Sequence, residues 1–239
     1  MKIACPQSFH GSRIGGRREN NIQYEISNMP IENIIEMVAG LLTKITTTND
    51  MQHEHLHRQM PLADSSEPIS PQTSSVLAFH GKNVPSITIL SYLNRINKYC
   101  PTSYEVFLSL LVYFDRMTEK LNLSHFFVVD SFNIHRLVIA GVTCASKFFS
   151  DIFYTNSRYA KVGGLPLPEL NHLELQFLLL NDFRLSVPVE ELEAYGTMLV
   201  EFYAREVADH ANSLQDTRRF QQSTGAQQNS AIIAEIVIP

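Results

Sequence analysis

The sequence predicts an all-α fold, and three observations predict it. Between residues 80 and 207, apolar residues recur at three- and four-residue steps in one segment after another, the repeat of helices that each bury a face. No segment alternates apolar and polar residues at period two, as a half-buried strand would. Pro101, Gly163-Gly164 and Pro188 stand at the ends of the periodic segments, where such residues stop or open a helix.

Taken in order, residues 1–29 are polar and irregular and read as a flexible arm. Residues 30–47 predict an amphipathic helix. Ile31, Ile34, Ile35, Val38, Leu41, Leu42 and Ile45 share one face, Pro30 sits at its first turn, and the Thr46–Asn49 run is expected to end it. Residues 48–79, rich in Pro, Ser and Thr, read as a flexible linker.

Five close-packed helices follow. The first, from Ser86, carries Ile89, Tyr92, Leu93, Ile96, Tyr99 and Cys100 on one face and stops at Pro101. The second opens with Thr102-x-x-Glu105, a capping-box spacing. Its inner face is Phe107, Leu110, Leu111, Phe114, Met117 and Leu121. The third, about Ser131–Ser150, is apolar nearly all round, which predicts a central helix. Gly141 lies inside it, where a glycine costs about 1 kcal/mol in propensity, so close packing accounts for it. A short fourth helix, Ser157–Val162, ends at Gly163-Gly164, and the fifth runs from Pro168 to Phe183. Pro188 opens a last helix whose early Glu190, Glu191 and Glu193 suit its dipole. Residues 80–207 therefore form one helical domain, and 208–239 reads as a disordered tail.

Composition narrows the function. The chain has 239 residues, 18% of them charged, with a formal net charge of −5. Phosphate-binding surfaces are basic, so nucleic acid is not an expected partner. No apolar run approaches the roughly 18–20 residues of a membrane span, and the N-terminus lacks a signal-peptide core. Cys5, Cys100 and Cys144 form no CxxC pair and suit a reducing compartment. His53, His55 and His57 match no zinc pattern. With no phosphate-loop, dinucleotide, zinc-protease or nucleophile-elbow motif, no catalytic residue, metal or cofactor is expected.

Three charges draw notice by position. Glu174 stands at the edge of the apolar stripe of its helix, Lys147 near the end of the central helix, and Asp151 one turn further on. They fit a solvated Lys147–Asp151 surface pair with a snorkelling Glu174. They equally fit charges rimming an apolar docking patch. Ser70-Pro71 fits either a linker dipeptide or a proline-directed phosphorylation site.

The residues also carry a resemblance. SITILSYLNRINKYC (86–100), LSLLVYFDRM (108–117) and NIHRLVIAGVTCASKFF (133–149) resemble the first three helices of a cyclin box. SRYAKVGGLPLPELNHLELQFLLLNDF (157–183) resembles the last two helices of one branch, the fungal phosphate-signalling cyclins related to plant P/U-type cyclins. The resemblance covers about residues 79–205. It implies a single five-helix cyclin box with one flanking helix before and one after. It also implies a regulatory subunit, not an enzyme, that binds and activates a proline-directed cyclin-dependent Ser/Thr kinase, in the nucleus or cytoplasm.

By the same resemblance, Lys147 and Glu174 contact the kinase together, and Asp151 faces basic residues of its activation segment. Phe148, Phe149, Ile152 and Phe153 supply apolar contact. Arg136 and Glu169 form a separate surface for regulators or substrates, and an ankyrin-repeat inhibitor joins the implied partners. A rival reading is a cyclin-box scaffold or transcription-core module that binds without activating a kinase. Residues 82–207 hold 11 Lys/Arg against 13 Asp/Glu, which disfavours a DNA-binding core.

Overall fold

The computed structural model describes residues 24–57, 75–122 and 127–211. Ser70, the arm before residue 24 and the tail from 212 lie outside them. The chain divides into two compact units, 1–199 and 200–239. In the second, residues 200–211 are helical, so helix persists past residue 207, where the tail was expected to begin.

Among the described residues of the first unit, a 3-10 turn, Ile26–Asn28, and a single helical turn at 75–77 accompany seven longer helices. These are α1 (Ile31–His57), α2 (Ile89–Tyr99), α3 (Tyr104–Asn122), α4 (Ile134–Phe149), α5 (Asn156–Gly163), α6 (Leu167–Leu180) and α7 (189–199). No strand occurs among the described residues. Helix α1 packs on α2 and α3, while α4 lies between α3 and α6.

The expected arm and linker both shrink. Ile26 is buried, and a Cβ on Gly196 would stand 2.5 Å from its Cγ1. The chain is therefore anchored against α7 from about residue 26. The Thr46–Asn49 run does not end α1, which continues to His57. The hydroxyls of Thr43, Thr47 and Thr48 donate to carbonyls one turn back, at 2.7–2.8 Å, so these threonines satisfy themselves inside the helix. Tertiary bonds then hold the extension. Asn49 Nδ2 donates to the Val129 carbonyl at 2.8 Å, and Asp50 accepts from the backbone N–H and hydroxyl of Ser131. Phe79 is fully buried, which removes the other end of the expected linker as well.

The core has two central helices where one was expected. Helix α4 is buried at every position from Leu137 to Ser146, and α3 is buried without a break from Val106 to Asp115. Gly141 is the point of closest approach. A Cβ there would lie 2.5 Å from Leu110 Cδ2 and 3.0 Å from Phe177 Cζ. The expected capping box is not formed. Thr102 Oγ1 lies 3.4 Å from Ser146 Oγ, and α3 begins at Tyr104, which leaves Glu105 in its first turn. Tyr99 faces outward, while its carbonyl accepts from the Arg158 guanidinium. Gly164 ends α5 in a left-handed conformation at φ 72°, as its sequence position predicts. Helix α6 stops three residues before Phe183, where Asp182 and Phe183 take positive φ values of 52° and 57°.

One buried carboxylate gives a pH signature. Asp115 is 4% exposed and accepts from the Tyr195 hydroxyl at 2.7 Å. Burial pushes its pKa from 3.8 up to about 6, against the opposing pull of that hydroxyl. The native state therefore holds the proton more tightly than the unfolded chain. From this group, stability is highest below pH 3.8 and falls as pH rises to about 6. Asp115→Asn keeps an acceptor for Tyr195, so it should flatten that part of a stability–pH profile measured by urea unfolding. An unchanged slope would show that Asp115 is not its source.

Candidate functional site: a charged pair beside an exposed apolar patch

The site is built where α4 ends against α6. Lys147 stands in the last turn of α4, where the helix dipole favours a cation. Glu174 lies in the middle of α6, with a side chain only 16% exposed against 30% for Lys147. Lys147 Nζ donates to Glu174 Oε1 at 2.6 Å. The second oxygen, Oε2, accepts from Asn156 Nδ2 at 2.6 Å. The Cys144 thiol makes a longer contact, 3.8 Å, with the Glu174 carbonyl. Burial pushes that thiol well above its ordinary range, the nearby Glu174 adding to it, so it stays a protonated, unreactive thiol.

The Lys147–Asp151 surface pair does not form. Ser150 leaves the helix in an extended conformation, φ −129° and ψ 135°, so Asp151 is off the helical register that an i, i+4 pair needs. Asp151 is exposed instead. The same turn presents the apolar residues. Ile152 is 90% exposed and Phe148 and Phe153 are each half exposed. Phe149 is half buried, edge-on to Phe148 with ring centroids 5.2 Å apart. Ser150 fixes the turn, since its Oγ donates to the Ile152 carbonyl and accepts from the Ile152 N–H. A cavity of about 320 Å³ opens beside Ile152, between Thr102, Ser146 and Tyr154. A large apolar side chain held out in water next to a cavity is what a docking surface shows.

Arg136 and Glu169 are also brought together, at 2.5 Å, with side chains 27% and 32% exposed. They join the starts of α4 and α6. Eleven residues separate Arg136 from Lys147, about 16 Å along α4, and five separate Glu169 from Glu174, about 7 Å along α6. The two ion pairs thus lie apart on one helix pair, Arg136–Glu169 where both helices start and Lys147–Glu174 where the end of α4 meets the middle of α6. A cavity of about 430 Å³ adjoins Arg136, lined also by Lys82, Tyr92 and His135. His135 Nε2 donates to the Ile87 carbonyl, 2.9 Å away, and burial lowers its pKa.

Sequence reasoning missed two features. Asn156 had no role in it. Phe183, 61% exposed on the left-handed turn after α6, and Leu175 and Leu179, 49% and 43% exposed, widen the apolar surface of the helix that carries Glu174. Their signal was present, because α6 has more leucines than the Leu170, Leu173, Phe177 and Leu180 face can bury.

Comparison with known proteins identifies the family. The family model described as Cyclin matches residues 32–185, more than half of the chain. It takes in α1, which the sequence resemblance had left outside the box. The PHO85 cyclin-like protein psl1 of Schizosaccharomyces pombe is 49% identical over 186 residues, 77% of this chain and 74% of that protein. PHO85 cyclin-7 of Saccharomyces cerevisiae is 50% identical over 74% of this chain and 64% of its own length. Cyclin-U4-1 of Arabidopsis thaliana is 37% identical over 70% of this chain and 74% of its own. With the all-helical fold, these matches establish that the chain belongs to the cyclin family, in the branch of the fungal PHO85 cyclins and the plant U-type cyclins.

Proposed function

We propose that this cyclin binds and activates a proline-directed cyclin-dependent kinase of the PHO85 type, through the face where α4 meets α6. The observation that carries the reading is the Lys147–Glu174 pair, 2.6 Å apart at the edge of an exposed apolar patch. The relatives named for PHO85 support the choice of kinase. The chain does no chemistry. A kinase works when its C-helix glutamate pairs with the strand lysine and its activation segment is ordered. A protein that binds only this arrangement shifts the kinase toward it, by as much as its differential affinity. Phe148, Phe149, Ile152 and Phe153 supply apolar contact area, and Lys147 and Glu174 fix register with charge-assisted hydrogen bonds.

Asp151 takes a different part. It is exposed, next to Ile152, and unpaired with Lys147. A carboxylate there meets arginines of the activation segment and substitutes in part for a loop phosphate. Arg136 and Glu169, where Arg136 stands about 16 Å from Lys147 along α4, serve substrates or an ankyrin-repeat inhibitor. Nutrient, phosphate or metabolic signalling in the nucleus or cytoplasm is the setting. Ser70 is a substrate of the bound kinase, as feedback.

The test is co-purification of the full chain with the kinase, followed by phosphorylation of a Ser-Pro peptide. Binding with strong stimulation is expected. No binding would overturn the reading, and binding without stimulation would make the chain a scaffold. In the same assay Asp151→Ala should lower activity about tenfold or more while affinity falls less. Equal losses would show Asp151 to be one more anchor.

A further inference from the structure

The hydrogen bonds of Asn156 have no use for the helix it begins. Asn156 is the first residue of α5, after Thr155, whose side chain makes no capping bond. Asparagine favours the cap position itself, where its oxygen accepts backbone N–H groups. Here the amide nitrogen instead donates to two acceptors on α6, Glu174 Oε2 at 2.6 Å and Asn171 Oδ1 at 2.8 Å. Two acceptors at one atom fix the orientation of the amide, because the reversed amide would set its oxygen against a carboxylate.

The consequence falls on Glu174. With Lys147 on Oε1 and Asn156 on Oε2, the carboxylate is held from two sides, by α4 and by α5. Each oxygen keeps a further lone pair, and the Lys147 ammonium keeps two protons for other acceptors. A group ordered before its partner arrives loses less freedom on binding.

We propose that Asn156 is a positioning residue for kinase binding, which touches no part of the kinase and acts by holding the Glu174 carboxylate in its docking geometry. This rests on the reading that Lys147 and Glu174 dock the kinase, and it adds a residue that no charge or apolar pattern marks.

The experiment measures the affinity of the full chain for the kinase catalytic subunit, with melting temperatures alongside. Asn156→Ala should weaken binding about tenfold, the upper cost of ordering one freed side chain on binding. In a Glu174→Ala background the same change should do nothing further. Asn171→Ala removes the other α5–α6 bond of this amide without touching Glu174, so it should leave affinity within about twofold. Asn156→Asp, nearly identical in shape, sets a second carboxylate against Glu174 and should weaken binding more. It serves if the alanine variant folds poorly.

A tenfold loss that persists in the Glu174→Ala background would overturn the proposal, because Asn156 would then act through the fold alone. Wild-type affinity of both Asn156 variants would also overturn it, provided Glu174→Ala binds weakly. Wild-type affinity of Glu174→Ala itself would refute the docking reading beneath it, and the proposal with it.

Discussion

Glu174→Ala is expected to weaken kinase binding by about 2–5 kcal/mol, and Lys147→Ala by a similar amount. Removing either group strands the other. Without the carboxylate, the Lys147 ammonium loses its 2.6 Å acceptor, and docking of the proposed kinase on this edge would cover it unpaired. A charge left unpaired under an interface carries the desolvation cost of its burial without the compensating bond. The expected loss corresponds to a dissociation constant raised roughly 30-fold to a few thousand-fold. Without the kinase, the same substitutions should barely move the melting temperature, because a solvent-accessible ion pair contributes only about 0–1 kcal/mol. That separation of binding from stability is the signature of a docking pair. Wild-type affinity of both variants in a titration against purified kinase would refute the assignment.

The second large effect is on the fold. Phe177→Ala should destabilise the chain by about 3–5 kcal/mol, the range for emptying an aromatic site in a packed core. Phe177 is fully buried. Its ring meets Tyr113 and Phe114 edge to face, with centroids 5.9 and 6.3 Å away, and such pairs add about 0.5–1.5 kcal/mol beyond burial. It also fills the space that Gly141 leaves open, with Cζ only 3.0 Å from where a Cβ would stand. The main chain of α4 cannot easily collapse into the hole, since Leu110 already crowds the same glycine. Leu175→Ala is the control, two residues away on the same helix but half exposed, and should stay within about 0.5 kcal/mol. Urea midpoints measure both, and a Phe177→Ala midpoint close to the control would contradict the packing described.

The sequence carried most of the helices and little of their joinery. Ile34, Ile35, Val38, Leu41, Leu42 and Ile45 are all buried, as their spacing requires, and Gly164 stops α5 by local backbone geometry alone. Errors arose where a tertiary partner outbid a local signal. The threonines of α1 resemble a stop, yet Asn49 and Asp50 find Val129 and Ser131 some 80 residues away. Thr102 has the right offset from Glu105 for a cap, but it faces Ser146 instead. The helix patterns marked Lys147 and Glu174 separately, and only the family resemblance joined them. That they meet depends on how α4 inclines against α6, which no spacing encodes. Asn156 was illegible for the same reason, since its only distinction is the pair of acceptors that α6 brings to it.

Because Lys147 and Glu174 already neutralise one another in the unbound chain, the docking edge projects a small dipole, not two separate charges. A dipole's field dies away faster than a charge's and is cut further by the Debye screening of ordinary buffers. The pair itself therefore adds little long-range steering, and the salt dependence of the encounter rate should come from the exposed Asp151. Recognition here is decided at short range, after water has left Ile152 and its neighbours.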